Sequence, residues 1–315
     1  MSYAMVFPGQ GSQEVGMGRA LTKRFETARS VFREADEALG FNLGKLILEG
    51  PEEELKKTAF AQPAILTVSI AVFSVIQNEL GFNPKPAYAA GHSLGEYSAL
   101  VAGGALSLAD GVRLVHLRGR LMQEAVPLGK GTMAALIGIG RDAVRKICEE
   151  LSPVGTCEAA NFNAPGQIVI SGETEAVEKA MELAKERGAK RAVQLKVSAP
   201  FHCRLMEPVA EKLKVAFEEC HWQEPNWPII ANVSARPERK VDDIKRSLYL
   251  QTHSPILWQD TVEYLHSAGA NTFAEIGPGS VLTGLIRRTV KGVSALTAGT
   301  PEEAETLVRT LSQEG

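Results

Sequence analysis

The chain has 315 residues, enough to bury the core of one large α/β domain with a smaller unit inserted in it. Lys and Arg total 34 against 37 Asp and Glu, a formal net charge of -3, so the overall balance offers no sequence-independent attraction for nucleic acid or for an anionic membrane. Cys148, Cys157, Cys203 and Cys220 form no CxxC pair and lack zinc-ligand spacing, which indicates neither a metal site nor a disulfide framework and fits a reducing cytosol.

The first ten residues carry no basic stretch, and the apolar run at 3–7 is too short for a signal-peptide core, so a cytoplasmic location is expected. That run reads as a strand ending in the turn Pro8-Gly9-Gln10-Gly11-Ser12-Gln13. The run at 64–76 contains Thr67, Ser69 and Ser74 and falls short of the roughly 18 to 20 residues a membrane span needs, so a buried helix is expected. A second strand at 87–90 leads into Gly91-His92-Ser93-Leu94-Gly95 and an Ala-rich helical segment. Residues 107–124 read as a helix capped by Ser107, with Asp110 in its first turn.

Between 130 and 197 the pattern changes to strand (133–139), helix (142–151), strand pair (157–171), helix (174–187) and strand (191–197), a βαββαβ order that suggests a ferredoxin-like insertion. A strand at 272–276 ends in Gly277-Pro278-Gly279, and Thr300, Pro301 and Glu303 form a capping-box helix start. Strand-to-turn junctions alternating with helices predict a largely parallel sheet, with ligands at the carboxyl ends of its strands.

Gly91-His92-Ser93-Leu94-Gly95 follows a short strand and precedes a helix, the context in which a GxSxG elbow presents a serine nucleophile. In the bland alternative, Ser93 merely caps the helix. The amide of Leu94 would point where an oxyanion develops, whereas His92, adjacent in the turn, reads as packing or polar support and not as a base. Arg118 has Leu114, Val115, Leu121 and Met122 one turn away on either side, so it lies on the apolar face of its helix, unlike Arg113 and Arg120. A guanidinium kept from water costs several kcal/mol unless it finds a partner, either an internal Asp or Glu or a ligand carboxylate.

Phe7-Pro8-Gly9-Gln10-Gly11-Ser12-Gln13 and Gly91-His92-Ser93-Leu94-Gly95-Glu96 resemble segments of the malonyl-CoA:acyl carrier protein transacylases of fatty acid synthesis and of the acyltransferase domains of polyketide synthases. The likeness extends in order through Arg118-Gly119, residues 161–167, Ser198-Ala199-Pro200-Phe201-His202, residues 231–235 and residues 275–279. It implies an α/β-hydrolase-like core at 1–129 and 198–315 with a ferredoxin-like subdomain at 130–197. It further implies Ser93 as nucleophile, His202 as base, an oxyanion hole from Gln10 and Leu94, and a backbone carbonyl of Gln251 in place of a triad carboxylate.

The same resemblance sets Arg118 against the free carboxylate of malonyl, with Met122, Phe201 and Gln251 around the substrate. A bulky Phe201 resembles malonyl-selective members of the polyketide branch. Lys190 and Arg191, with Lys185 and Arg187 before them, form a basic cluster that reads either as a solvated helix end or as a contact for acidic carrier protein or coenzyme A. The implied reaction is malonyl transfer from malonyl-CoA to acyl carrier protein, with coenzyme A as product and no permanently bound cofactor. A trans-acting polyketide synthase acyltransferase and a serine thioesterase or hydrolase on a related core are the alternatives.

Overall fold

A computed structural model describes residues 2–197 and 199–314; Ser198, which opens the segment carrying His202, lies outside the described residues. The described residues form ten strands: β1 (Tyr3–Phe7), β2 (Tyr88–Gly91), β3 (Gly131–Ile137), β4 (Cys157–Ala164), β5 (Gln167–Glu173), β6 (Arg191–Gln194), β7 (Ile229–Ala231), β8 (Arg236–Glu238), β9 (Thr272–Ile276) and β10 (Ser294–Ala298). They form a six-stranded sheet in the order β10-β9-β1-β2-β7-β8 and a four-stranded sheet in the order β4-β5-β3-β6.

The larger sheet is parallel except for β8, which returns antiparallel along β7. β1 and β9 are buried along their whole length, as central strands covered on both faces must be, which explains the unbroken apolar run of β1; in β9 the buried Glu275 accepts from the N–H groups of Leu282 and Thr283. The smaller sheet is antiparallel, and its chain order is strand, helix, strand, strand, helix, strand. Its apolar core packs on the helices Arg141–Glu150 and Thr174–Glu186. β4 also reaches the larger unit, where the Phe162 N–H donates to Ile256 O and the Ile256 N–H to Ala160 O.

The apolar run at 64–76 belongs to a longer helix than the sequence suggests, Thr58–Asn78, which at 21 residues is long and apolar enough to cross a membrane. In this fold 89% of its most apolar window is buried against the protein itself. Pro63 lies inside this helix and cannot donate to the carbonyl one turn earlier, that of Ala59. His116 Nδ1 donates to that carbonyl instead, at 2.8 Å. His116 sits on the helix Leu108–Glu124, which Gly119 lets come close: a Cβ there would overlap the Thr58 carbonyl. The helix that carries Arg118 is thereby held against the apolar helix at the level of Gln62.

Candidate active site

β2 ends at Gly91 and the next helix begins at Leu94, leaving His92 and Ser93 to make the turn. Ser93 adopts φ 52° and ψ -106°, a left-handed conformation that costs a non-glycine residue on the order of 1–3 kcal/mol. The turn closes because Gly91 and Gly95 lack side chains: a Cβ on Gly91 would overlap the Gly95 backbone, and one on Gly95 would overlap the Phe7 carbonyl. Asn232, just past β7, braces it from below, its Oδ1 accepting from Ser93 N–H at 2.7 Å and its Nδ2 donating to Gly91 O at 2.7 Å.

Ser93 Oγ lies 2.8 Å from His202 Nε2. The imidazole Nδ1 is 2.8 Å from the main-chain carbonyl of Gln251, and because a carbonyl can only accept, Nδ1 carries the proton and Nε2 is free to accept from the serine hydroxyl. Burial first, and then the charge of Arg118, pull His202 down from 6.5 to about 3, so the ring is neutral at physiological pH. His202 also has a positive φ, 60°, and besides Ser93 and Ala235 no other described non-glycine residue does. Strain thus sits on both partners of the central contact.

Arg118 is 1% exposed. Its Nη1 donates to Gln62 Oε1 at 2.8 Å, and its Nη2 to Gln251 Oε1 at 2.8 Å and to Ser93 Oγ at 3.0 Å. Its Nε has no hydrogen-bond partner among the described residues, and no carboxylate makes an ion pair with it there. Of the two partners the sequence allows, an internal Asp or Glu is therefore missing from the contact. A charged fork held only by neutral oxygens, beside a serine hydroxyl, suits a ligand carboxylate.

The loop after β1 abuts the elbow, since a Cβ on Gly9 would overlap the His92 carbonyl. Gln10 follows it, its side chain donating to Thr58 Oγ1 at 3.3 Å. Neither the Gln10 nor the Leu94 backbone N–H donates to another described residue, so both remain free to meet an oxyanion. Met122 is buried, its sulfur 3.7 Å from the Gln62 amide that also serves Arg118. Phe201 is buried immediately before His202. His92 is held by Asn163 of β4 at 2.8 Å and packs on Trp258, a supporting role that also ties the two sheets together.

The basic cluster is dispersed. Arg187 forms a two-pronged pair with Glu150, which neutralises it, while Lys190 and Arg191 are exposed. Arg191 pairs with Ile137 at one end of β3, whereas Gly131 at the other end abuts Pro200, near His202. Six residue steps along β3 separate these ends, roughly 20 Å, which places the two cations at the end of the strand away from Pro200.

Four polar residues in the site carried no assigned role in the sequence: Gln62, Glu96, Asn163 and Asn232. Gln62 was recognisable only as an amide in an otherwise apolar helix. Asn232 and Glu96 lie inside family-like segments but touch the site through partners more than a hundred residues distant.

Residues 4–314 match the acyl transferase domain family. A malonyl CoA-acyl carrier protein transacylase of Bacillus subtilis is 47% identical over 312 residues, covering 99% of this chain and 98% of that protein. The crystal structure of an acyl-carrier-protein-S-malonyltransferase from Bartonella henselae is 50% identical with a TM-score of 0.97, covering 99% of this chain and 100% of the other. A malonyl-transacylase in complex with its type II polyketide synthase acyl-carrier protein is 44% identical with a TM-score of 0.95, covering 98% and 100%. With identity of this order and near-complete coverage on both sides, the resemblance read from the motifs is borne out, and the chain belongs to the acyl transferase domain family, among the malonyl CoA-acyl carrier protein transacylases.

Proposed function

We propose that this chain moves the malonyl group of malonyl-CoA to the phosphopantetheine thiol of acyl carrier protein, for fatty acid synthesis, through an ester on Ser93. The observation that carries the reading is the buried guanidinium of Arg118, 3.0 Å from Ser93 Oγ and without a carboxylate partner among the described residues. An acyl chain on that oxygen starts beside the guanidinium, so a terminal carboxylate completes the charge where an acetyl or long-chain acyl group leaves it unpaired.

In the first half-reaction His202 Nε2 takes the Ser93 proton while Oγ attacks the thioester carbonyl. The N–H groups of Gln10 and Leu94 receive the oxyanion. Collapse breaks the carbon–sulfur bond, and the imidazolium returns its proton to the departing coenzyme A thiolate. The carrier thiol then attacks the ester, His202 again taking the proton, and Ser93 leaves with it. The Gln251 carbonyl holds the ring in the tautomer both halves need, so the scheme requires no triad carboxylate and no resident cofactor or metal.

The architecture supports a division into an α/β-hydrolase-like core at 1–129 and 198–315 and a ferredoxin-like subdomain at 130–197, since the order β4-β5-β3-β6 is that expected of a βαββαβ unit. Met122 and Phe201 would line the acyl pocket. Lys190 and Arg191, far from Pro200, would meet the acidic carrier or the coenzyme A phosphates and not the acyl group. The four free cysteines favour a cytoplasmic setting.

Incubation with malonyl-CoA and a phosphopantetheinylated carrier, followed by mass spectrometry of the carrier, tests the reading: malonyl-carrier should accumulate. Equally fast release of free malonate without carrier would instead establish a hydrolase. A second reading, delivery to a polyketide synthase carrier, is favoured by the 44% identical transacylase bound to such a carrier. Competition between a fatty acid and a polyketide carrier separates the two.

A further inference from the structure

Glu96 is a carboxylate 2% exposed, on the first turn of the helix that follows Ser93, and the reaction scheme assigns it nothing. It does not pair with Arg118. One of its oxygens, Oε2, accepts instead from the Asn232 main-chain N–H at 3.0 Å and from Gln251 Nε2 at 3.0 Å. These two residues hold the reacting pair. Asn232 Oδ1 takes the Ser93 N–H, while Gln251 holds the His202 ring through its main-chain carbonyl and the Ser93 carbonyl through Nε2, at 2.9 Å.

The Gln251 amide could be rotated by half a turn in an environment that did not distinguish its ends. Here Arg118 can only donate to it and the Oε2 of Glu96 accepts from it, so Oε1 faces the guanidinium and Nε2 faces Glu96 and the elbow. We infer that Glu96 is a positioning residue for the transfer reaction: its oxygen fixes Gln251 and Asn232, and through them the relative placement of Ser93 Oγ and His202 Nε2. The inference rests on Ser93 and His202 being nucleophile and base.

What matters in this arrangement is the place of an accepting oxygen and not a negative charge. Burial raises the Glu96 carboxyl to about 8, with the Gln251 and Asn232 hydrogen bonds and the charge of Arg118 opposing and the neighbouring Glu238 adding to the rise. A neutral side chain of the same length and shape is therefore a close substitute, and a shorter charged one is not.

The experiment compares Glu96→Gln with Glu96→Asp, using a fluorophosphonate that reads the serine without malonyl-CoA or carrier. Ser93 Oγ forms a bond to phosphorus, the phosphorus–fluorine bond breaks, fluoride leaves and His202 takes the proton. Glu96→Gln should keep the phosphonylation rate within about threefold of wild type, while Glu96→Asp, whose oxygen is drawn back by one carbon, should slow it roughly 10- to 100-fold. Steady-state malonyl transfer should show the same order in kcat, with KM for malonyl-CoA little changed. An Asp variant as fast as or faster than the Gln variant, with both folded by circular dichroism, would overturn the inference. A wild-type protein inert to the reagent would overturn the nucleophile reading beneath it.

Discussion

The imidazole of His202 is oriented by the main-chain carbonyl of Gln251, at 2.8 Å, and not by a carboxylate. Because that contact belongs to the backbone, it survives replacement of the Gln251 side chain, which separately serves Arg118, Ser93 O and Glu96. Gln251→Ala should therefore leave the His202 tautomer intact and act through the loss of those three contacts. We expect malonyl transfer to fall roughly 10- to 100-fold, with the His202 Nδ1–H resonance still detectable by proton NMR. Loss of that resonance would place the side chain in the imidazole contact.

Arg118 has neutral partners in the site, and in the proposed reaction the malonyl carboxylate completes its charge. Arg118→Ala should lower kcat/KM for malonyl-CoA by at least about 100-fold, as when one member of a buried charged pair is removed. Transfer from acetyl-CoA should improve in the same variant. Equal loss for both acyl groups, measured by competition between the two thioesters, would mean that the arginine only supports the fold.

The pH dependence follows from His202, whose value is depressed from 6.5 to about 3. The ring remains an available base well below the ordinary range of imidazole, so the acid limb of kcat/KM should fall below pH 6.5. In the window between about 3 and 6.5 the unfolded chain binds the proton that the folded ring refuses. The stability contribution of His202 is thus complete above pH 6.5 and is lost as pH falls toward 3. Glu96, raised from 4.5 to about 8, acts in the opposite direction, its contribution being complete below 4.5 and lost as pH rises through about 8. Urea midpoints measured from pH 5 to 9 should show wild type falling relative to Glu96→Gln as the pH rises to about 8, because the amide has no proton to lose.

Gly95 allows the helix after the elbow to lie on the end of β1, where any side chain would meet the Phe7 carbonyl. Overpacking against backbone cannot be relieved by a rotamer change. Gly95→Ala should cost at least about 3 kcal/mol of stability and abolish transfer, as read by urea unfolding and activity together. A variant with wild-type stability would show that the elbow has room to relax.

Much of this was legible before the structure, and the reasons are local. β1 and β9 are short, fully buried runs ending in glycine turns, so both bounds were readable at 3–7 and 272–276. Ser107 caps its helix by accepting from Asp110 N–H at 3.0 Å, and Thr300 and Glu303 complete their capping box, as side chains competing for helix-end N–H groups must. The sequence pattern carries β6 on to 197, whereas the strand ends at Gln194; it is an edge strand, largely exposed, so no burial pattern marks its end.

The burial of Arg118 could be read from its own helix, whereas its contacts could not. Gln62 lies 56 residues before it and Gln251 133 residues after, and a helical period says nothing of what faces it across a core. The fork of Arg187 with Glu150 escaped for the same reason: cations close in sequence were read as a group, although one of them is neutralised by a residue from another helix.

Malonyl transfer by this route requires above all that Ser93 Oγ become an ester of malonate. Intact-protein mass spectrometry within seconds of mixing with malonyl-CoA, without carrier, should show one malonyl adduct in the wild type, its discharge when carrier is added, and none in Ser93→Ala. An adduct that persists in Ser93→Ala, or a wild-type protein that transfers malonyl without ever carrying it, would contradict the account.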